Sequence, residues 1–257
     1  MPARRRTPLA LAVGLYVALL YHGPPAAADA PTPVDLELFL ALDVSSSVNK
    51  EEYKLQSEGL AAAFRHPAVL AAITAAGNRG IAVAVAQWAE ERDRVVVLPW
   101  TLVDGAASAL ELAERIAAIE RQVPGGATGI SGAIEFGISE FESNGFEGTR
   151  RVIDLSGDGR ANHGPIPSYS RDRAVALGIT VNGLAILNEI PLLDRYFRET
   201  VIGGSGAFVI AANDWEAFAQ AMLEKLVREI SLSPVAGTQH PREPSLVARP
   251  AEGERSR

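Results

Sequence analysis

Strand-like and helix-like hydrophobic patterns alternate along the chain from Val34 to Ile230. Short apolar runs bounded by polar or glycine-rich stretches predict buried strands at 34–42, 80–88, 93–98, 150–155, 180–186 and 207–211. Longer segments with amphipathic spacing predict helices at 50–65, 69–76, 104–121, 130–144, 168–177, 191–201 and 214–230. The alternation predicts an α/β fold, a doubly wound and mostly parallel sheet with helices on both faces.

One connection in this pattern is too short for a parallel crossover. The second and third predicted strands are joined only by the charged segment Ala89-Glu-Glu-Arg92. A crossover between parallel strands needs about a dozen residues, whereas a hairpin needs only a few. The link therefore predicts one antiparallel strand, at an edge of the sheet.

The two ends of the chain differ from its body. Residues 1–28 begin with Arg4-Arg5-Arg6, continue with an apolar run and end with three alanines, a pattern typical of a cleaved signal peptide. We therefore expect a secreted or periplasmic protein, cleaved near Ala28, with the export route left open. An uncleaved anchor is the alternative, although no stable membrane insertion is expected after cleavage. Residues 231–257 are rich in Pro, Arg, Glu and Ser, which predicts a disordered tail and leaves 34–230 as one domain.

Composition and charge narrow the classes of partner and of metal. The chain has no cysteine and four histidines, so disulfides are excluded and a zinc site has little support. The formal charge is −7; subtracting the three arginines of residues 1–28 from 24 basic residues leaves 21 against 31 acidic ones, or −10. Nucleic acid is therefore not an expected partner.

The first predicted strand ends in a polar loop that offers hard oxygen ligands. Asp43, Ser45 and Ser47 are spaced i, i+2, i+4, so a tight turn can direct one carboxylate and two hydroxyls at a common point. Such groups suit Mg²⁺, Mn²⁺ or Ca²⁺. The alternative is that the serines cap the next helix, ahead of the capping-box pair Asn49 and Glu52.

Two later segments can share this site. Thr128 lies in the glycine-rich segment Gly125-Gly-Ala-Thr-Gly129, just before a predicted helix, and Asp158 lies between Gly157 and Gly159 after a predicted strand. In doubly wound sheets, ligands bind beyond the carboxyl ends of the strands, where the strand order reverses. We therefore predict a metal site made of Asp43, Ser45, Ser47, Thr128 and Asp158.

At these positions the sequence resembles the von Willebrand factor A domain and its metal-ion-dependent adhesion site. Asp43-x-Ser45-x-Ser47 matches the D-x-S-x-S motif of the family, Thr128 matches its threonine loop, and Asp158-Gly159 resembles its final Asp-Gly, with Ser156-Gly157 in place of the usual lone threonine. The resemblance spans about residues 34–230. Within the superfamily, segments 97–101, 144–151 and 202–208 are similar to a group of exported bacterial proteins of unknown function.

The resemblance implies a function as well as a fold. In that family the two serines and the threonine contact the cation nearly directly, while the aspartates often act through water. The resemblance thus implies a module that binds a divalent cation, most often Mg²⁺, and captures an acidic side chain of a protein partner. The alternatives are an assembly factor whose metal only stabilises the loops and, less favoured, a metal-assisted hydrolase.

Two features leave smaller questions open. Asp154 lies within a predicted strand, either as a buried carboxylate behind the ligands, which we favour, or as a ligand itself. Gly129-Ile-Ser-Gly132 is one residue short of a nucleophile elbow, and neither His66 nor His163 has a triad context, so we expect no enzyme.

Overall fold

The computed structural model describes residues 30–231 of the 257-residue chain. The predicted signal peptide at 1–28 lies outside the described residues, as does the predicted tail apart from Ser231. Both remain predictions.

Six strands form one sheet, as the sequence pattern predicts. The strands are β1 (Thr32–Asp43), β2 (Ile81–Trp88), β3 (Arg94–Val103), β4 (Phe146–Gly157), β5 (Ile179–Ile186) and β6 (Val209–Ala212). Their order is β3-β2-β1-β4-β5-β6, and only β3 runs antiparallel. The doubly wound, mostly parallel sheet with one antiparallel edge strand is therefore confirmed.

Seven α-helices flank the sheet. They are α1 (Lys50–Arg65), α2 (Pro67–Ala76), α3 (Ala106–Ala117), α4 (Ile130–Glu140), α5 (Pro167–Ala176), α6 (Leu193–Tyr196) and α7 (Phe218–Ser231). The start of α1 follows the predicted capping box, in which Asn49 accepts from the amide of Glu52 and the Glu52 carboxylate accepts from the amide of Asn49. The helical pattern at 191–201 is in fact split, because a π-helical segment, Phe197–Val201, follows α6.

Three predicted helix ends were wrong by about one turn. Helix α3 ends at Ala117 instead of 121, since the amide of Gln122 donates to the side chain of Gln87 instead of continuing the helix. Helix α4 ends at Glu140 instead of 144, because the side chain of Asn144 donates to Glu37 of β1 and accepts from the amide of Phe146, where β4 begins. Helix α7 begins at Phe218 instead of 214, because the carboxylate of Asp214 caps the amide of Ala217.

The strand register brings the ends of β1 and β4 together. Leu42 is opposite Ser156, and Asp43, the last residue of β1, is opposite Trp88 at the end of β2. The chain passes from β1 to β2 on one side of the sheet and from β4 to β5 on the other, so the strand order reverses between β1 and β4. A ligand crevice is expected at that point, beyond the carboxyl ends of the two strands.

Both faces of the sheet are buried, which explains the continuous apolar runs of its strands. In β1, Leu38 and Leu40 face the core shared with α1, α3 and α7, while Phe39 and Ala41 face the core on the side of α4 and α5. Trp88, predicted as a core aromatic, is buried. Strands β1 and β4 are thus packed against helices on both faces of the sheet.

The outer strand β3 is irregular. Val83 of β2 is opposite Thr101, Val85 is opposite Leu98 and Ala86 is opposite Val96. Strand β3 therefore has two extra residues, one on each side of Leu98, and one of the two shifts is next to the exposed Pro99. No described strand pairs with the other side of β3.

Within residues 30–231, no single helix is long and apolar enough to cross a membrane. Helices α1 and α2 satisfy the length and hydropathy test only when taken together, and they are bent by 59° relative to each other.

Candidate metal centre

The loop after β1 folds back on its own aspartate. The amide of Ser45 donates to Oδ1 of Asp43 over 2.7 Å, and the hydroxyls of Ser45 and Ser47 are 3.2 Å apart. The amide of Val48 donates to the carbonyl of Ser45 over 3.0 Å, which closes the turn. The i, i+2, i+4 spacing therefore does gather one carboxylate and two hydroxyls, as predicted.

Asp158, at the end of β4, joins this loop directly. The hydroxyl of Ser47 donates to Oδ1 of Asp158 over 2.8 Å. The glycines on either side of Asp158 leave the space for this approach: a Cβ at Gly157 would lie 2.9 Å from Oδ2 of Asp43. A Cβ at Gly159 would lie 3.3 Å from the hydroxyl of Thr128. Asp158 thus lies beside Asp43 and Ser47, as the sequence predicted.

Thr128 is held beside Asp158 by the loop that follows β4. Its amide donates to the side-chain oxygen of Asn162 over 2.7 Å, and the amide of Asn162 donates to the carbonyl of Thr128 over 3.1 Å. Thr128 itself is buried at 5 % exposure. The threonine loop and the Asp158 loop therefore form one unit.

These loops enclose an open pocket of about 370 Å³. Ser47, Thr128 and Asp158 line it, together with Arg160 and Glu189. Asp43 and Ser45 do not line it but lie beneath it, fully or almost fully buried. The structure therefore brings all five predicted residues to one place, three at the surface of the pocket and two below.

Burial and neighbouring negative charges disfavour the ionised forms of Asp43 and Asp158. Burial, and secondly the charge of Asp158, raise the pKa of Asp43 from 3.8 to about 7. Burial also raises the pKa of Asp158, with Glu189 adding to the effect. Oδ2 of Asp43 and Oδ2 of Asp158 are buried and accept no hydrogen bond from the described residues. Two buried acceptors without donors are costly unless a cation or water compensates them.

The donor set fits a hard divalent cation. Two carboxylates and three hydroxyls supply oxygen only, as Mg²⁺, Mn²⁺ and Ca²⁺ prefer. Among residues 30–231 no group of three His, Cys, Asp or Glu side chains could hold a metal ion, so the hydroxyls are essential to the set.

Arg121 holds the loop that carries Ser45 and Ser47, here called the serine loop, and sequence reasoning did not identify it. Its Nη1 donates to the carbonyl of Val48 over 2.7 Å, and its Nη2 donates to the carbonyls of Val44 and Ser45. Its Nε donates to the carbonyl of Val123, in the segment that leads to Thr128. One guanidinium thus ties the serine loop to the threonine loop. The only signal in the sequence was an arginine shortly before a glycine pair.

Gln56 on α1 is a second support that was missed. Its Nε2 donates to the carbonyl of Asp43 over 2.9 Å, and its Oε1 accepts from the hydroxyl of Ser156 over 2.9 Å. Gln56 is fully buried, on the same face of α1 as Leu60. A glutamine on the apolar face of a predicted helix is a signal that could have been used, because a buried amide needs partners.

Asp154 pairs with a lysine on α7 and does not lie behind the predicted ligands, so the favoured interpretation of this residue was wrong. Its Oδ1 is 2.6 Å from the ammonium of Lys225 on α7, which is also 2.6 Å from Oε1 of Glu229. Asn182 donates to that same Glu229 oxygen. The expectation that a buried acid needs a partner is confirmed, but the partner is a lysine on the closing helix.

Ser131 and His163, which were considered as catalytic residues from the sequence, both have hydrogen-bond partners in the structure. Ser131, in the segment similar to a nucleophile elbow, is buried in α4 and lies 2.6 Å from the hydroxyl of Ser170. His163 accepts from the amide of Glu91.

Comparison with known proteins bears on the fold. Proximal thread matrix protein 1 (PTMP1) from the mussel byssus matches with a TM-score of 0.59 and 17% identity, over 78% of this chain and 48% of that one. The same mussel protein with a zinc-occupied MIDAS motif matches with a TM-score of 0.57 and 16% identity, over 76% and 46% of the two chains. The pilus adhesin SpaC from Lactobacillus rhamnosus GG, in its open conformation, matches with a TM-score of 0.53 and 12% identity, over 77% and 30%.

At these identities the similarity shows the fold, which is that of a von Willebrand factor A domain, as the motifs indicated. The chain spans about half the length of the mussel protein. A search of curated proteins found no match to the sequence. The family model described as "Protein of unknown function (DUF1194)" matches residues 33–234, and the chain belongs to that family.

Proposed function

We propose that this protein is an exported binding module that uses a divalent cation to capture an acidic side chain of a protein partner. The observation that carries the proposal is the pocket lined by Ser47, Thr128 and Asp158, at which one carboxylate oxygen of Asp158 and one of the underlying Asp43 are buried without a hydrogen-bond donor from the described residues. Export rests on the sequence of residues 1–28 alone.

The proposed ligands divide into two kinds. The hydroxyls of Ser45, Ser47 and Thr128 are neutral, and only Asp43 and Asp158 carry charge. With the hydroxyls in direct contact and the aspartates acting through water, a bound Mg²⁺ would supply an electrophilic position for one further carboxylate oxygen, because its direct ligands would be neutral. Mg²⁺ is the favoured ion, with Mn²⁺ and Ca²⁺ as the other candidates.

The protein's own residues set the conditions for this capture. Asp43 is held by the amide of Ser45, and its main chain is held by Gln56, so the buried carboxylate cannot turn away from the pocket. Arg121 fixes the carbonyls of the serine loop and thereby the direction of its hydroxyls. Such a rigid set of ligands favours recognition, because little ordering is needed when the partner binds.

We favour binding over catalysis for this site. Ser131 is buried and bonded to another serine, which removes the one nucleophile motif considered from the sequence. The mussel protein supports the proposal to the extent that a divalent ion occupies its MIDAS motif.

The test compares the purified mature domain in Mg²⁺ and in EDTA. We expect the unfolding temperature to rise with Mg²⁺, and periplasmic extract to yield a bound protein that EDTA releases. Asp43→Ala should remove both effects. A metal-dependent rise in stability without any EDTA-sensitive binding would favour the structural role of the metal instead.

A further inference from the structure

A second cleft lies beside the metal pocket and shares one wall with it. Arg160 lines both spaces: the metal pocket with Asp158 and Thr128, and a neighbouring cleft of about 250 Å³ with Leu192 and Tyr196. Arg160 follows Asp158 by two residues and is exposed. Whatever occupies the metal pocket and extends sideways therefore meets this arginine.

The guanidinium of Arg160 is held in place by an aromatic ring. Its central carbon lies 5.4 Å from the centre of the Tyr196 ring. The hydroxyl of Tyr196 accepts from the amide of Ala161, so the ring is fixed to the same loop that carries the arginine. Stacking of this kind leaves the edge of the guanidinium free to donate hydrogen bonds.

The charge of Arg160 is not used inside the domain. Arg195, which lines the same cleft, is paired with Glu199 over 2.9 Å. Arg160 makes no hydrogen bond or ion pair with any of residues 30–231, although the chain as a whole is acidic. A stacked guanidinium with free donors is suited to a carboxylate, which it can bind through two parallel hydrogen bonds.

The cleft is also lined by one exposed apolar residue, Leu192, and by Arg195 with Glu199, whose charges are paired with each other. Leu192 is 63% exposed and has φ 64° and ψ 24°, the left-handed conformation that a leucine rarely adopts. It is the only residue other than glycine with positive φ in the part of the chain that the structure describes. Unusual backbone of this kind concentrates at ligand sites, and an exposed apolar side chain suits a peptide segment better than a small free anion.

We propose that Arg160, stacked on Tyr196, is a second anion-binding group, so that the partner presents two acidic side chains on one segment. One carboxylate would occupy the metal pocket, and the other would bind Arg160 with Leu192 beside it. This inference rests on the proposed function and specifies the chemistry of its partner. Glu189, on the rim of the metal pocket, would repel the second acid and so favour the side of Arg160.

The probes are capped synthetic peptides that carry two aspartates separated by none, one or two alanines. Each has counterparts in which one aspartate is asparagine. Binding is measured in saturating Mg²⁺ with the purified mature domain. We expect the best two-acid peptide to bind about threefold to tenfold more tightly than its one-acid counterparts, as a partly exposed charge-assisted contact contributes.

Arg160→Gln should remove this advantage, so that its two-acid and one-acid peptides bind equally well. Both peptides are compared within the variant, because Arg160 also lines the metal pocket and its loss changes the charge there. Arg228→Gln is the matched control, because Arg228 also stacks on an aromatic ring, that of Phe208, at 3.9 Å. Arg228 lies far from the metal pocket, near the amino-terminal ends of the parallel strands. The carbonyl of the adjacent Glu229 accepts from Arg150, near the start of β4. The control should keep the full two-acid advantage.

Two results would overturn the inference while leaving the proposed function intact. One is a two-acid advantage that persists in Arg160→Gln. The other is a peptide with phosphoserine in place of the second aspartate that binds far more tightly and requires Arg160, because the second group would then be a phosphate. If no peptide bound in a manner that needs Mg²⁺ and Asp43, the proposed function itself would fail.

Discussion

The hydroxyl of Ser47 and the carboxylate of Asp158 are joined by a 2.8 Å hydrogen bond across 111 residues of sequence. The bond connects the loop after β1 to the end of β4, and it occupies a lone pair of Asp158 that faces the site. A divalent cation would have to replace or share this contact. Metal binding and the arrangement of the two loops are therefore one equilibrium, and variants at either residue should change both.

Removal of the buried carboxylate below the pocket should abolish metal-dependent stability. A cation at a hundred times its dissociation constant stabilises a folded protein by about 2.7 kcal/mol through mass action. We expect this gain for Mg²⁺ or Mn²⁺ in the native protein and none in Asp43→Ala. Differential scanning calorimetry with metal or EDTA measures it, with Asp104→Ala, an exposed acid at the start of the α3 segment, as control. An equal gain in Asp43→Ala would remove this residue from the site.

The same carboxylate makes the metal-free protein sensitive to pH. Its folded pKa of about 7 lies above the ordinary 3.8, so the folded state holds a proton that the unfolded state has released. Stability is therefore lost as pH rises from about 4 through about 7. Each pKa unit corresponds to about 1.4 kcal/mol, so the loss amounts to several kcal/mol at most.

Asp43→Asn tests this sign, because the amide keeps an oxygen for the amide of Ser45 and cannot ionise. In EDTA at pH 8 we expect Asp43→Asn to have a higher free energy of unfolding than the native protein. In Mg²⁺ this difference should become smaller or change sign. Chemical denaturation across pH 4 to pH 8 provides the measurement. A variant less stable than the native protein at pH 8 in EDTA would show that burial of the charge is not the dominant effect.

An added carboxylate at Ser47 should separate metal binding from partner capture. In Ser47→Asp the new charge lies next to Asp158, so the metal-free protein should lose stability and the cation should bind more tightly. The added charge should also repel an incoming acid and weaken capture, by about 1.5–3 kcal/mol, the size of a charge-assisted hydrogen bond. The measurement is EDTA-sensitive pull-down beside thermal unfolding. Undiminished capture by a metal-bound variant would favour a purely structural cation.

The guanidinium of Arg121 should matter both for folding and for metal affinity. Lysine at this position could reach at most some of the carbonyls that the fork of Arg121 joins, so the serine loop should loosen. We expect Arg121→Lys to lower the free energy of unfolding by about 1–3 kcal/mol, the cost of leaving carbonyls without donors, and to weaken Mg²⁺ binding because the loop that carries Ser45 and Ser47 loosens. Chemical denaturation measures the first effect, and calorimetric titration with Mg²⁺ measures the second. Arg115→Lys, whose guanidinium only contacts Thr101, is the control.

Export is checked by the mass of the mature protein. The basic start, apolar run and terminal alanines of residues 1–28 predict cleavage near Ala28. Intact-mass spectrometry of protein recovered from the periplasm or the medium should show a chain that begins near Asp29. A full-length mass in the membrane fraction would support the anchor instead.

Three of the five predicted site residues could be found from the sequence because their spacing is local. Asp43, Ser45 and Ser47 lie in one turn, and the glycines around Thr128 and Asp158 mark places of close backbone approach. The supports could not be found in that way. Arg121 binds backbone carbonyls, whose positions depend on the folded path of the chain and not on the identity of the residues that carry them.

The same reason explains why Asp154 was misinterpreted. A carboxylate within a parallel strand needs a partner, but the strand does not show on which face or helix that partner lies. The lysine that pairs with it is 71 positions later, within a helix whose pattern predicted only an apolar buried face. Sequence reasoning therefore identified the need for a partner and missed its source.

The two extra residues in β3 affect how readily a strand of another molecule can pair with its outer edge. An open edge strand presents a row of amides and carbonyls to which a strand of another molecule can add. Pro99 has no amide hydrogen to offer, and the displaced register beside it bends the edge away from a flat template. Among residues 30–231, the unpaired side of β3 is therefore a poor template for an added strand at Pro99.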